Sequence, residues 1–374
     1  IVFYAKRAVQ NFTGLGNYSR YLIEILYRFY PENEYFLYAP HIRSNPRFNH
    51  LLTACPSLSC ISPKGLWKKC RSAWRSIGIT RSLEKDHITI YHGLSNELPL
   101  NIRKATHTRS VVTIHDLIFL RYPQCYPPID RFIYTYKFRK ACQDANAIVA
   151  ISQCTKRDII HYFDIDADKI HVIYQGCDEV FTHPAPEQLK QEAKEKYHLP
   201  DKYIMSLSTM EPRKNQKLLF QSFSDVVDCV DYDLVLVGRM GWNIDEIISS
   251  YSANNRIHIT GFVDDKDVAC IYTNAMCFVF PSLYEGFGLP PIEALSLGTP
   301  VISSDAASMP EVLREQAVFF KNNDIQELSK LLLNLEKNVD GMPNELDEFQ
   351  KKNYRFDESA RKILEIIEVR YNNV

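Results

Sequence analysis

Short apolar runs recur along the chain, each followed by a polar or glycine-bearing loop and then by apolar residues at helical spacing. Ile1–Ala5 reads as the first strand, Lys6–Gly16 as a polar loop, and Asn17–Tyr30 as a helix with Tyr21, Ile25 and Leu26 on one face. Further strands are predicted at Tyr35–Ala39, Ile88–His92, Ser110–Ile114, Ala147–Ser152 and Ile170–Ile173, with a helix over Gln153–Phe163 capped by Ser152. Thr182–Pro200, which opens with Thr182, His183, Pro184, Ala185 and Pro186 and continues as a charged helix, separates these from a second alternation. Its strands are Tyr203–Leu207, Asp233–Val237, Arg256–Ile259, Met276–Phe280 and Val301–Ser303, with a helix over Gln216–Cys229. Continuous apolar strands alternating with helices describe parallel sheets covered on both faces. The expectation is α/β: two Rossmann-like doubly wound domains, 1–182 and 203–354, joined by a linker over 183–202 and facing a cleft. Asp357–Tyr371 is a strongly amphipathic last helix, with Ile363, Ile366, Ile367 and Val369 among charges.

The pattern is densest at 278–300, FVFPSLYEGFGLPPIEALSLGTP, where an apolar strand enters a glycine loop and then a helix. Pro290 and Pro291 suit a first helical turn, which predicts a helix over Pro291–Leu297 stopped by Gly298. A strand, glycine loop and helix start offer backbone N–H groups and a positive dipole end to an anion. Gly286 and Gly288 allow close approach to the backbone, and Glu285 and Glu293 flank the loop as candidate ligand-facing carboxylates. Taken singly, Glu293 is an acidic residue in a first helical turn and Glu285 a solvated loop residue.

Composition narrows the classes. At 374 residues the chain exceeds a single ordinary core, and a formal charge of −1 gives no global attraction to nucleic acid. The ten cysteines include no C-x-x-C pair and no zinc-ligand spacing with His, so they read as reduced core residues, Cys142, Cys229, Cys270 and Cys277 among them. No apolar run approaches the ~20 residues that span a bilayer. A cytoplasmic protein without a structural metal is expected.

Glu285 and Glu293, with the glycines between them and the downstream GTPVISSD, resemble the E-x7-E signature of retaining glycosyltransferases of the GT-B fold, family 4. TGLGNY at 13–18, VVTIHDLIFLRYP at 111–123, SLSTMEPRKN at 206–215 and Gly261-Phe262-Val263 are similar to other segments of that family. The resemblance implies a nucleotide diphosphate sugar as donor, GDP-mannose or a UDP-hexose, with no further cofactor and no metal. It implies Gly14 and Gly16 near the donor phosphate, Arg213 and Lys214 on the diphosphate, and Val263 at the base. It further implies Glu293 on the ribose, Glu285 with Gly286, Phe287, Gly288 and Leu289 on the sugar, and His115 positioning that sugar. Arg213-Lys214-Asn215 stands where relatives carry an R-x4-K pattern. In the family the last helix, here 355–374, returns to the first domain, and the first domain takes a saccharide or lipid-linked saccharide acceptor.

Two carboxylates also serve glycosidases, but a retaining hydrolase sets them ~5–5.5 Å apart across one bond and has no use for the adjacent cations. A sugar phosphorylase, a nucleotide-sugar epimerase and a two-lobed sugar-binding protein remain as alternatives on the same fold. Between 64 and 85, Lys64, Lys68, Lys69, Arg71, Arg75 and Arg81 surround Trp67 and Trp74, seven apart. As one continuous helix this segment would carry both rings on one stripe, either packed on the domain or in peripheral contact with the inner face of a membrane. No Asp-x-Asp dyad follows a strand in the second half; Asp264, Asp265 and Asp267 read as a solvated helix start.

Overall fold

The computed structural model describes residues 1–239, 241 and 254–368. The chain forms two compact units, Ile1–Gly176 together with the segment from Asn353, and Cys177–Lys352. Among the described residues the first unit holds seven strands: β1 Val2–Tyr4, β2 Phe36–Tyr38, β3 Ser59–Ile61, β4 Ile90–Gly93, β5 Arg109–Ile114, β6 Ala147–Ala150 and β7 Ile170–Val172. They form one parallel sheet in the order β3-β2-β1-β4-β5-β6-β7. Alternate residues feed opposite faces, as the pleat requires: Phe3, Leu37, Val111 and Val149 join one core, Val2, Tyr4, Tyr38, Val112 and Ile148 the other.

The second unit repeats the plan with β8 Tyr203–Leu207, β9 Asp233–Val237, β10 Ile257–Gly261, β11 Cys277–Phe280, β12 Val301–Ser304 and β13 Val318–Phe320. These run parallel in the order β10-β9-β8-β11-β12-β13. Strand order reverses between β1 and β4 and between β8 and β11. Ligands of open α/β sheets bind outside the strand C-termini at such switch points, so the loops leaving β8 and β11 are where chemistry is expected in this unit.

Several expectations are corrected. The charged helix expected within 183–202 is present as Glu187–Tyr197, but Lys196 and Tyr197 tie it to Asp267 of helix Asp265–Asn274, so it belongs to the second unit and not to a linker. The polar loop 6–16 contains a short helix, Lys6–Gln10, and the next helix begins at Gly14 rather than Asn17. β3 was not anticipated, because Ser59-Cys60-Ile61 is too short and too mixed to register as a strand. Cys229 is exposed, as is Cys70, while the other three quoted cysteines are buried.

The last helix, Phe356–Glu368, packs Phe356, Ala360, Ile363, Leu364 and Ile367 into the core of the first unit; Val369 and Tyr371 lie outside the described residues. Arg109 donates to its Ile367 carbonyl at 3.1 Å.

Residues 64–85 do not form one helix. A 3-10 turn Gly65–Lys68, a short helix Arg71–Ala73, a π-turn Trp74–Gly78 and a helix Ile79–Lys85 follow one another. Trp74 is buried and stacks on Tyr38 with ring centroids 6.2 Å apart, whereas Trp67 is half-exposed, so no stripe of paired tryptophans faces outward. The π-turn has an identifiable cause. It leaves the Ser76 and Ile77 carbonyls to accept from Leu100 N–H and the Asn101 side chain, at 2.7 and 3.0 Å. Leu66 and Ile77 of this segment are exposed, and a longer exposed apolar series lies on helix Pro128–Asp144, where Ile129 and Phe132 are 74% and 76% exposed and Ile133 and Tyr136 continue the i, i+3, i+4, i+7 spacing.

Candidate active site

In the second unit the loop after β8 tightens into a 3-10 turn, Pro212–Lys214, and Asn215 takes a left-handed conformation before helix Gln216–Ser224. That turn presents Arg213 and Lys214 to the loop after β11. Leu283 N–H donates to the Arg213 carbonyl at 3.0 Å, joining the two loops directly. Lys214 Nζ lies 2.5 Å from Glu285 Oε1, Arg213 Nη1 lies 3.7 Å from Glu285 Oε2, and Arg213 Nη2 lies 2.5 Å from Glu211. Ser282 Oγ donates to Glu285 Oε1 at 2.7 Å. Burial pushes the Glu285 carboxyl up, but Lys214, Arg213 and Ser282 together bring it below its ordinary value, so it is ionised. Burial and Arg213 lower the Lys214 ammonium, against the pull of Glu285. Glu211, Arg213 and Lys214 from one loop and Glu285, 71 positions beyond Lys214, thus form one charged cluster at the switch point.

The loop that follows is fixed from behind. Ser308 Oγ donates to the Glu285 and Phe287 carbonyls at 2.9 and 3.2 Å, and Ser304 Oγ to the Ser282 carbonyl at 2.7 Å. Gly288 has φ +94° and stands directly against the Met309 thioether, a conformation and a closeness that favour glycine. The helix runs Leu289–Ser296, two residues earlier than Pro291–Leu297, with Gly298 left-handed just beyond it. Pro290 and Pro291 carry no N–H, so the first-turn amides that exist to meet an anion are those of Gly288 and Leu289.

Glu293 sits apart from that cluster. Tyr272 Oη donates to its Oε2 at 3.3 Å, and its other influences are Asp265 and Asp178, with no cation among them. Burial first, then Asp265, raise its pKa to about 8, so the carboxyl is largely protonated at neutral pH. A carboxyl in that state is both donor and acceptor, which suits a vicinal diol. Its cost is a pH slope. With a folded value near 8 against an ordinary 4.5, the native state holds a proton that the unfolded chain has lost, so stability falls as pH rises through that window. Glu293→Gln is expected to flatten the fall; urea midpoints measured across the window for both proteins check this, and parallel curves contradict it.

Val263 is buried, so only its backbone can meet a ligand, while the adjacent Phe262 is exposed beneath the Arg239 guanidinium at 4.4 Å. Arg239 was missed by sequence reasoning. The Gly238-Arg239 pair following β9 was the available signal, since Gly238 has φ +139° and a Cβ there would overlap the Ser208 carbonyl. Asp265, read from sequence as part of a solvated helix start, stands near Glu293 together with Cys177 and Asp178, and nothing local marks that meeting.

In the first unit His115 follows β5 directly and is buried. Its Nε2 lies 2.9 Å from the Leu94 carbonyl, which can only accept, so Nε2 carries the proton. Nδ1 then accepts from Gln175 Nε2 at 3.1 Å. Burial lowers the ring's pKa to about 4, and the edge-on Tyr18 ring at 4.8 Å completes its packing. Its backbone N–H donates to Asn96 Oδ1 at 2.7 Å. Leu94 and Asn96 follow the expected strand Ile88–His92 and Gln175 follows Ile170–Ile173, but nothing in the sequence marks their convergence on His115. Gly14 and Gly16 lie in the first helical turn after the Thr13 cap and not in an open loop. Gly16 is required because a Cβ would overlap the Asn11 carbonyl, whereas nothing stands within 4 Å of one at Gly14.

Comparison with known proteins follows the same division. The family described as Glycosyl transferases group 1 matches residues 187–362, and Glycosyltransferase Family 4 matches residues 13–181. The chain belongs to the group 1, family 4 glycosyltransferases. Among curated members, O-antigen chain mannosyltransferase B of Escherichia coli is 33% identical over 256 residues, 67% of this chain and 65% of that one. The serotype-specific mannosyltransferase WbdA of Escherichia coli is 34% identical over 235 residues, 60% of this chain and 29% of the relative. The chain therefore spans less than two thirds of either. Among solved structures, a Rickettsia africae glycosyltransferase has a TM-score of 0.73 at 19% identity, covering 95% of each chain. Anabaena HepE in complex with UDP-glucose has a TM-score of 0.69 at 15% identity, covering 100% of this chain and 99% of that one. These likenesses show the GT-B fold.

Proposed function

We propose that this family member is a retaining hexosyltransferase that moves a sugar from a nucleotide diphosphate sugar to a saccharide or lipid-linked saccharide in surface polysaccharide synthesis. The strongest support is the cluster of Arg213, Lys214 and Glu285 at the β8/β11 switch point, held beside a glycine loop and a helix start. A diphosphate entering there meets two cations already held by carboxylates, Lys214 by Glu285 and Arg213 chiefly by Glu211, and the low-dielectric surroundings strengthen their hold on charge that develops as the anomeric bond breaks. The glycosidic C–O bond to the diphosphate breaks with its electron pair going to phosphate. The acceptor oxygen then bonds to the same face of the sugar, and its proton passes to the departing phosphate oxygen. Glu285 keeps the cations in place and meets the sugar hydroxyls; Glu293 meets the ribose. His115, neutral and fixed at both ring nitrogens, is assigned a positioning role. Mannose is favoured as the sugar by the mannosyltransferase names of the curated relatives, and HepE with UDP-glucose keeps a UDP-hexose in view.

Incubation with GDP-mannose and with UDP-glucose, each with and without a saccharide acceptor, tests this reading by product analysis. Acceptor-dependent release of nucleoside diphosphate with retained anomeric configuration is expected; release of a sugar phosphate on adding orthophosphate would point to a phosphorylase instead. Because Arg213, Lys214 and the helix start can neutralise the leaving group, turnover is expected to be unchanged in excess EDTA. Loss restored by Mg²⁺ or Mn²⁺ contradicts that part. No helix among the described residues is long and apolar enough to cross a membrane.

A further inference from the structure

The first sheet has its own switch point, between β1 and β4, and a small cavity lies there that the transfer chemistry does not use. Tyr4, the last residue of β1, and Tyr91 of β4 form its floor, Arg75 enters from the π-turn Trp74–Gly78, and Lys137 from helix Pro128–Asp144. Both cations share a single carboxylate: Glu97 lies 3.5 Å from Arg75 and 3.6 Å from Lys137. Lys6 stands in the same field, with its ammonium held below its ordinary value by burial and then by Arg75 and Arg7. The Tyr4 hydroxyl is buried with no hydrogen-bond partner of good geometry, although the Arg75 guanidinium stands beside it. A buried phenol left unpaired costs about 1–3 kcal/mol, and natural interiors rarely leave one without a reason.

We infer that this cavity is a binding site for a phosphate group, with Arg75 and Lys137 as its cations and the Tyr4 hydroxyl as a donor to one phosphate oxygen. Three cations facing one carboxylate leave an excess of positive charge that an anion relieves. The donor set suits phosphate, since a guanidinium fork, an ammonium and a hydroxyl are all N–H or O–H donors. The site lies wholly within the first unit and stands independently of the donor assignment in the second.

Phosphate could arrive on a soluble phosphorylated compound or on a lipid. Ile133 precedes Lys137 by one helical turn and belongs to the exposed series with Ile129, Phe132 and Tyr136, so a lipid's hydrocarbon would have apolar surface next to the cation.

Calorimetric titration with inorganic phosphate, on wild type, Arg75→Gln/Lys137→Gln and Lys214→Ala, tests the site. The double variant is expected to bind at least about tenfold more weakly, Lys214→Ala to retain this site, and Glu97→Gln to bind more tightly because a competing charge is gone. Lys137→Gln alone serves if the double variant does not fold. A second arm sediments the same proteins with phosphatidylcholine vesicles with and without phosphatidic acid. Recruitment by phosphatidic acid that depends on Arg75 and Lys137 identifies a lipid source; phosphate binding without recruitment identifies a soluble one. Equal phosphate affinity in wild type and the Arg75 and Lys137 variants overturns the assignment.

Discussion

Replacing Lys214 with Met is expected to destabilise the protein more than replacing Lys214 and Glu285 together with Met and Gln. The reason is burial: the two side chains are only 13% and 12% exposed, and Lys214 Nζ is the near partner of Glu285 Oε1 at 2.5 Å. Removing the ammonium leaves an ionised carboxylate with Ser282 and the more distant Arg213, at 3.7 Å. Breaking a buried pair from one side costs about 3–5 kcal/mol, whereas removing both charges is often close to neutral. Urea denaturation of the wild type, both single variants and the double variant closes a thermodynamic cycle and reads the coupling. Donor turnover should fall in every variant by at least about tenfold, or ~1.4 kcal/mol of transition-state stabilisation, because the double variant restores the fold's balance without restoring the Lys214 ammonium or the Glu285 carboxylate. A stable Lys214→Met protein with wild-type turnover would remove the cluster from both roles.

Gly176→Ala should be among the most damaging methyl additions to the first unit, and it strikes where the last helix begins. A Cβ there would overlap the backbone N of Phe356 and the carbonyl carbon of Arg355, where the chain returns to start its last helix. Backbone cannot rotate away as a side-chain end can, so the helix start must shift. Phe356 then loses its packing on Tyr21, with ring centroids now 5.1 Å apart, and Ala360, Ile363, Leu364 and Ile367 are disturbed behind it. About 3 kcal/mol or more is expected, the upper end of overpacking costs. Gly14→Ala is the matched control, since its Cβ meets nothing within 4 Å and alanine favours a helix by up to ~1 kcal/mol. Thermal and urea unfolding of the two variants should move in opposite directions; a Gly176→Ala protein as stable as the wild type would show that the crossing is looser than described.

The parallel sheets were legible because their strands are buried on both faces and so appear as unbroken apolar runs, such as Val111–Ile114 and Phe278–Phe280. The segment 64–85 was misread for the complementary reason. Heptad spacing places Trp67 and Trp74 on one stripe only if the helix is regular, and carbonyls bonded to residues 100 and 101 widen it into a π-turn. The exposed apolar face of helix Pro128–Asp144 was hidden in sequence, because its opposite face is apolar too and leaves no amphipathic contrast.

What the sequence determined alone was the repeated strand-loop-helix plan and the short-range chemistry of its loops: glycines where φ is positive, prolines in a first turn, cations and carboxylates after strands. Such features depend on residues a few positions apart, and they survive whatever the rest of the chain does. Tertiary structure alone decided which of those groups meet. Glu285 lies 71 residues from Lys214 and reaches it because β8 and β11 are neighbours in the sheet. His115 is fixed by residues 21 and 60 positions away, and Glu293 loses its charge among acidic groups that no local pattern places beside it. Burial and charge set the state of each of these groups, and both are sums over neighbours that only the folded chain brings within range.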